Sequence, residues 1–314
     1  HRDPARTLKS PAFAHTTGDK TTCLNNNTRF SRRRLLGAAA ALPLLGTVPA
    51  LQAQELTDLA RIKASGVLKV AVYKDNAPFS SGPADAMVGL DVSLAEALAR
   101  QLGLKLSLLP FDAGENMNDD LRNMVWRGHY LGYGPADVML QVPVDRYLMN
   151  ENRQALIFAP YMRQVPTLLF DTRKVADVRA PEDLKGLPLA VERGAGQASL
   201  LMGYGGGLLR NQVSVHVSGP AAAQQVIEGK AAGAYVTRAQ AEAALATLGS
   251  RPEHLRMTEL VLGNIPDRGW PVGMAIKAGN KDLGQSIEQA MQQLRSSGEL
   301  LALFQKQGLT LTAP

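Results

Sequence analysis

The chain has 314 residues, a formal net charge of +6 at pH 7 and one cysteine. This length supplies material for one large domain or two modest lobes, and a single cysteine excludes a disulfide framework or a thiolate metal cluster. Hydrophobic residues make up 45% of the chain, a proportion that excludes a disordered or collagen-like protein.

The positive charge is confined to the first part of the chain. Residues 1–53 hold eight basic and two acidic side chains, a net +6, so that residues 54–314 hold 26 of each sign and are neutral. A nucleic-acid-binding protein needs a cationic surface to neutralise phosphates. We therefore expect no nucleic-acid partner.

Residues 31–53 have the features of an export signal. The arginine-rich sequence 31–36 (SRRRLL) opens a short apolar stretch that Gly and Pro residues interrupt, which is typical of a signal rather than a membrane anchor. S-R-R-x-L-L resembles the twin-arginine signal. We expect residues 1–53 to be a leader cleaved after Ala50 or Ala53, and the mature protein to be periplasmic. The alternative is a basic loop before a buried helix.

After this segment, short apolar runs alternate with amphipathic stretches, the pattern of α/β units around mainly parallel sheets. The predicted strands are 67–72, 105–109, 136–141, 165–170, 187–191, 213–217, 233–236 and 271–277. The predicted helices are 91–102, 119–126, 221–228 and 239–248, with a terminal helix that carries Leu283, Ile287, Met291 and Leu294 at helical spacing.

Five motifs, taken in this order, resemble the bacterial extracellular solute-binding proteins of family 3 over nearly all of residues 58–310. They are 89–99 (GLDVSLAEALA), 158–161 (FAPY), 180–194 (APEDLKGLPLAVERG), 274–280 (MAIKAGN) and 297–299 (SGE). One departure is Ser93, where the family usually has an acidic residue.

This resemblance implies the α/β two-lobe fold of type II periplasmic binding proteins. Residues 54–167 and 271–314 would form the first lobe, and 168–270 the second. Two strands would cross between the lobes, near 165–169 and 270–273. Such lobes hold a ligand in their cleft and close about the hinge when it contacts both.

In the first lobe, the resemblance implies ligand residues in the loops that follow the strands. Asn76 stands where amino-acid binders usually have an aromatic residue. Phe79 either packs on the ligand or fills the lobe core. Gln141 is a further candidate ligand residue. The segment that follows it leads to Arg146, the best match to an arginine that clamps a carboxylate with its forked guanidinium. The alternative for Arg146 is an exposed ion pair with Asp145 or Glu151.

In the second lobe, Arg193, Gly194 and Gln197 lie at a predicted strand-to-helix turn, where free backbone N–H groups suit an anion. The alternative is a plain tight turn. Thr237 and Arg238 lie where amino-acid binders place an Asp against the ligand ammonium group. Arg238 would repel an ammonium and favour an anionic or neutral ligand, unless it is simply a surface residue at a helix start.

Residues 115–135 form an insert where the family usually has a short glycine turn. Its aromatic and histidine side chains would either cover the cleft or meet a protein partner. The alternative is a surface loop packed on its own lobe. These side chains are Trp126, His129, Tyr130 and Tyr133.

We predict a monomeric periplasmic receptor that delivers a small polar or anionic solute, amino-acid-like or a carboxylate, to an ABC transporter permease, with no cofactor or metal. The Asn-x-Pro-Phe-Ser loop and the Val-Pro…Asp-Arg segment also resemble the branch associated with periplasmic quinoprotein (PQQ) alcohol and methanol dehydrogenases, so an accessory role there is the alternative. The scaffold resembles cyclohexadienyl dehydratases as well. Such an enzyme needs a carboxylic acid poised for proton transfer, and the cleft loops offer only Asp75, Asp145 and Glu192. We therefore expect no enzyme.

Overall fold

The computed structural model describes residues 57–263 and 269–314, so the expected leader at 1–53 lies outside the described residues. The strands are β1 Val67–Tyr73, β2 Lys105–Phe111, β3 Val138–Pro143, β4 Ala155–Gln164, β5 Pro166–Asp171, β6 Leu189–Glu192, β7 Val213–His216, β8 Gly233–Thr237, β9 Leu255–Thr258 and β10 Trp270–Lys277. The helices are α1 Asp58–Ser65, α2 Leu90–Gln101, α3 Met117–Leu121, α4 Arg146–Glu151, α5 Gly196–Gly203, α6 Gly219–Ile227, α7 Arg238–Ala246, α8 Lys281–Ser296 and α9 Glu299–Lys306. A π-helical turn at Arg122–Trp126 follows α3.

The first sheet has the strand order β2-β1-β3-β10-β4. β1 pairs in parallel with β2 and β3, and the returning strand β10 lies antiparallel between β3 and β4. Side chains alternate along a strand, so Leu68, Val70 and Val72 of β1 face one hydrophobic cluster while Ala71 faces another. The first cluster is completed by α1, α2, α8 and α9, and the second by α3 and the π turn. This sheet and its helices are the first lobe.

The second sheet repeats that topology with the order β7-β6-β8-β5-β9. β6 pairs in parallel with β7 and β8, and the incoming strand β5 is antiparallel to β8 and β9. Leu168 and Phe170 face a cluster that includes α5, while Leu169 faces a cluster that includes α6 and α7. This sheet and its helices are the second lobe.

The two crossings between the lobes meet at one point. β4 ends at Gln164 and β5 begins at Pro166, so Val165 alone separates the two sheets. On the second crossing Gly269 has φ +68°, and a Cβ added there would overlap the carbonyl oxygen of Gln164. Only glycine fits such a backbone approach. This point is the hinge.

The C-terminal tail makes a further contact between the lobes. The Thr310 N–H donates to Glu242 Oε2 of α7 at 2.7 Å, and the Arg163 N–H donates to the Thr312 carbonyl at 2.9 Å. Leu309 is buried in the first-lobe core, against which Ala239 and Ala243 of α7 also pack. Helix α7 of the second lobe is therefore attached to the tail of the first.

The prediction of two α/β lobes joined at crossing strands is confirmed, although β5 begins slightly before the expected boundary. The strand β4 was missed because Pro160 interrupts it. β4 lies at the edge of its sheet, where a missing N–H is tolerated. The short strand β9 and the helices α1 and α4 were also missed. Among the described helices, none is long and apolar enough to span a bilayer.

Candidate functional site

A cavity of about 430 Å³ opens at the carboxyl ends of the parallel strands β1 and β2. This edge of an open α/β sheet is where ligands bind. The Lys74 ammonium joins the two loops by an ion pair with Asp112, 2.8 Å from Nζ to Oδ2. We call this space the first-lobe cavity. Its lining residues are Tyr73, Lys74, Asp75, Asn76, Phe111, Asp112 and Ala113.

The wall of this cavity is an aromatic pair held by a buried carboxyl group. The rings of Tyr73 and Phe111 are tilted, with centroids 4.5 Å apart. The Tyr73 hydroxyl donates to Asp120 Oδ2 at 2.7 Å, and the Gly114 N–H donates to Asp120 Oδ1 at 2.7 Å. Burial raises the pKa of Asp120 and, together with Asp120 itself, the pKa of Tyr73.

The structure separates the two residues predicted in the loop after β1. Asn76 is half-buried and lines the first-lobe cavity, and its backbone closes the loop through hydrogen bonds to Phe79 and Ser80. Phe79 is 1% exposed and belongs to the first-lobe core. Since a side chain so enclosed has no surface for a ligand, the expectation that Phe79 packs on the solute is corrected, and the core alternative applies.

Gln141 of β3 belongs to a cluster of buried polar side chains in the first lobe. Its Nε2 donates to Asp91 Oδ1 at 3.3 Å, and the Tyr161 hydroxyl donates to the same oxygen at 2.8 Å. Burial raises the pKa of Asp91 to about 7, while the two hydrogen bonds oppose that shift. Burial and Asp91 also raise the pKa of Tyr161 well above its usual value. Asp91 was not singled out from the sequence, since it lies within an otherwise apolar helix face.

Arg146 is not among the residues that line the first-lobe cavity. It is the exposed first residue of α4, and the preceding Asp145 is the helix cap, with Oδ1 accepting from the Leu148 N–H at 2.9 Å. No ion pair of Arg146 occurs within residues 57–263 and 269–314. In this conformation, the arginine expected to clamp a carboxylate therefore lies on a short helix that faces solvent.

In the second lobe, Glu192 ends β6 and accepts a hydrogen bond from Gln240 Nε2 at 2.8 Å. The Gly219 N–H also donates to it, and burial raises the pKa of Glu192 in spite of both contacts. Gln240 and Thr237 cap α7 reciprocally, because each backbone N–H donates to the other's side chain, at 3.0 and 3.4 Å. Thr237 is therefore buried within a helix cap.

The turn after β6 brings three predicted residues together. Arg193 and Gly194 are exposed, and Gly194 has φ +73°, a conformation that glycine favours. Gln197 is 8% exposed in the first turn of α5. The Arg193 N–H already donates to the His216 carbonyl at 2.7 Å, so this backbone group is not free for an anion.

Arg238 does not present an uncompensated charge. As the first residue of α7 it donates from Nε to Glu242 Oε1 at 2.8 Å, one turn along the helix. Because its guanidinium is paired, the expected repulsion of a ligand ammonium group loses its basis. Arg238 instead lines a separate cavity of about 220 Å³ beside β9, together with Arg251.

The aromatic insert packs on the hydrophobic core of the first lobe. His129 lies against both Tyr130 and Tyr133, with ring centroids 4.3 Å apart in each case. Tyr133 packs on the lobe and lies near Lys74, whose pKa is raised by Asp112 and, more weakly, by Tyr133. At the tip, Tyr130 is 87% exposed. The insert is thus packed on its own lobe and carries one free aromatic side chain.

The first-lobe cavity and the turn after β6 are two separate polar sites in the described residues. No hydrogen bond or ion pair found in residues 57–263 and 269–314 joins the first-lobe cavity to the segment from Glu192 to Gln197. The same ranges contain no group of three or more His, Cys, Asp or Glu side chains placed to hold a metal ion.

Comparison with known proteins finds similar sequences and similar solved structures. No family model matches the chain. The cyclohexadienyl dehydratase of Pseudomonas aeruginosa is 31% identical over 206 residues, which are 64% of this chain and 69% of that protein. An ancestral cationic amino acid solute binding protein superposes with a TM-score of 0.61 at 20% identity, over 79% of this chain and 98% of the other. An amino acid ABC transporter substrate-binding protein from Streptococcus pneumoniae, bound to L-arginine, superposes with a TM-score of 0.57 at 20% identity, over 82% and 100%.

Proposed function

This chain belongs to the family 3 extracellular solute-binding proteins, and we propose that it is a receptor that captures an amino-acid-like solute between its lobes for an ABC transporter. The observation that carries this proposal is the pair of polar strand ends with no polar bridge between them in the described residues. A solute that contacts both would favour closure about the hinge.

The charges around the first-lobe cavity favour a solute with a cationic group. Asp75 lines the cavity together with the Lys74–Asp112 ion pair, so the lining carries one uncompensated negative charge. An ammonium or guanidinium group would be attracted to this acidic excess. At the other lobe, Arg193 offers an exposed cation for the carboxylate of the same solute. These groups favour a zwitterionic or cationic amino acid over a simple anion.

Thermal unfolding with a panel of amino acids, L-arginine and L-glutamine included, tests this proposal. A solute at 100 times its dissociation constant adds about 2.7 kcal/mol to the free energy of unfolding, a rise of several degrees in Tm. Asp112→Asn and Asn76→Ala should each lower the apparent affinity for the solute at least tenfold, and so reduce the rise in Tm. Asp177→Asn, an exposed carboxyl of the second lobe paired with Arg179, is the matched control. A panel without any shift would contradict the proposal.

Export to the periplasm and delivery to a permease are parts of the same proposal. The arginine-rich sequence at 31–36 supports export. Cell fractionation with Arg32→Lys and Arg33→Lys exchanged together tests it, since loss of the arginine pair should retain the protein in the cytoplasm. The alternative role beside a quinoprotein dehydrogenase stays a prediction. It would be supported by co-purification with such an enzyme and by no solute-induced shift in Tm.

A second candidate function is dehydration, favoured by the identity to the Pseudomonas aeruginosa dehydratase. Removing water requires a proton for the leaving hydroxyl group. Glu192 is the second-lobe carboxyl with a raised pKa and a polar partner, so it is the candidate donor. Incubation with a cyclohexadienyl substrate, followed by absorbance of an aromatic product, tests this activity. Turnover that Glu192→Gln abolishes would support it, and no turnover above buffer would exclude it.

A further inference from the structure

A chain of side-chain hydrogen bonds runs from the hinge to helix α2 in the first lobe. Gln164, the last residue of β4, donates from Nε2 to Gln141 Oε1 at 3.0 Å. Gln141 donates in turn to Asp91, which also accepts from Tyr161. We call these four residues the hinge relay. Its members come from β4, β3 and α2, and one end lies a single residue from the second lobe.

The side chain of Gln141 is engaged on both sides of its amide. The oxygen accepts from Gln164 and the nitrogen donates to Asp91, and only 7% of the residue is exposed. Its backbone N–H donates to the Tyr161 hydroxyl at 3.3 Å, completing a closed ring of contacts. An amide so occupied connects two parts of the protein instead of contacting a solute. The sequence-based assignment of Gln141 as a ligand residue is replaced by this connecting role.

The relay is strained and incompletely satisfied in this conformation. Gln141 has φ +62°, a backbone conformation that costs a non-glycine residue free energy. β10 shifts its register on β3 between Gly273 and Ala275, where it runs beside the relay. Asp91 Oδ2 is buried without a hydrogen-bond partner among the described residues. A conformation that satisfied this atom would gain stability, so the arrangement is suited to having two states.

We propose that the hinge relay couples opening and closing of the lobes to the positions of the Gln141 and Asp91 side chains inside the first lobe, with Gln164 and Gln141 as positioning residues. Backbone rotation between Gln164 and Val165 moves the side-chain amide of Gln164. Because Gln164 is hydrogen-bonded to Gln141, and Gln141 to Asp91, these two side chains shift as well. The benefit to solute capture rests on the proposed function. The coupling itself concerns the empty protein and is measurable without any solute.

Double electron–electron resonance on the solute-free full chain measures the coupling. Nitroxide labels are placed by Gln101→Cys on α2 and Lys185→Cys in the second lobe, both exposed, after Cys23→Ser removes the native thiol. Gln164→Met removes the amide at similar length and should change the ratio of open to closed populations about fivefold, the effect of one buried hydrogen bond. Gln141→Met should act alike, and the double variant should exceed neither single variant. Gln305→Met on α9 is the matched control and should leave the distribution unchanged.

An unchanged distance distribution in both relay variants overturns the proposal, even where Tm falls, because a purely structural role lowers stability without moving the lobes. If Gln141→Met does not fold, the half-buried Gln164→Met alone decides. A change in the distribution together with no solute in the amino acid panel would support the hinge relay while contradicting the proposed receptor.

Discussion

The two lobes share a topology and differ in how they hold their buried acid. Each has three parallel strands, an antiparallel strand contributed across the hinge and an edge strand. In each lobe a glutamine donates a hydrogen bond to a carboxyl group. Gln141, within β3, donates to Asp91, and Gln240, three residues after β8, donates to Glu192. Asp91 is fully enclosed among three elements, whereas Glu192 is half-buried beside a helix cap. The comparison indicates tightly packed surroundings for the first-lobe acid and more adaptable surroundings for the second-lobe acid.

The largest effect is expected where a glycine begins a helix. Gly89→Ala should lower the free energy of unfolding by about 5 kcal/mol, because Gly89 has φ +130° and a Cβ there would overlap the backbone oxygens of Phe79 and Pro78. In the second lobe, a Cβ at Gly219 would overlap the Gln240 side-chain amide, which would have to give up its hydrogen bonds to Glu192 and the Thr237 N–H. Gly219→Ala should therefore cost about 2 kcal/mol. Urea unfolding measures both variants. Equal losses would refute the contrast in packing between the two sites.

The next effect concerns pH. The pKa of Asp91 is raised to about 7 in the folded protein, against about 3.8 when unfolded, so folding favours its neutral form. The stability that this provides is complete below about pH 4 and is lost as the pH rises through 7, by at most about 4 kcal/mol. Asp91→Asn should remove this loss between pH 4 and 8 in urea titrations. Glu192→Gln should flatten the profile much less, and an unaltered profile in Asp91→Asn would show that the carboxyl is solvated.

A smaller effect is expected at the second-lobe acid. Gln240→Met leaves Glu192 without its side-chain donor and the Thr237 N–H without its acceptor, and should lower stability by about 1–2 kcal/mol. Gln293→Met, on the exposed face of α8, is the control and should change little. If thermal unfolding shows no difference between these two variants, water replaces the lost contacts and the surroundings of the second-lobe acid are even more adaptable than proposed.

The smallest effect is expected at Arg238. Its ion pair with Glu242 is 40% exposed on the arginine side, and such pairs contribute about 0.2–1 kcal/mol. Arg238→Met should therefore lower Tm by only a few degrees and leave the affinity for any solute found in the amino acid panel unchanged. A tenfold change in that affinity would instead indicate that Arg238 contacts the solute.

The sequence predicted what depends on local pattern. The period of apolar residues located β1 and α2, and the four apolar residues predicted on the terminal helix, Leu283 to Leu294, are all buried. It did not predict what depends on distant partners. Asp91 meets Tyr161 seventy positions away, and no local period indicates which apolar-face residue will be a buried acid. For Arg238 the sequence left two alternatives, and the structure places it at the start of α7 with its partner Glu242 one turn ahead.

The position of β10 has a consequence for biosynthesis. The second lobe is continuous in the chain, and all strands of its sheet have been synthesised once Thr258 is made. The first sheet is different, because β4 pairs only with β10, which ends at Lys277. Throughout the synthesis of the second lobe, β4 and β3 each have an unpaired edge, the kind of edge that invites aggregation. The lobe translated first is thus the lobe completed last, because its sheet closes only after β10 has been made.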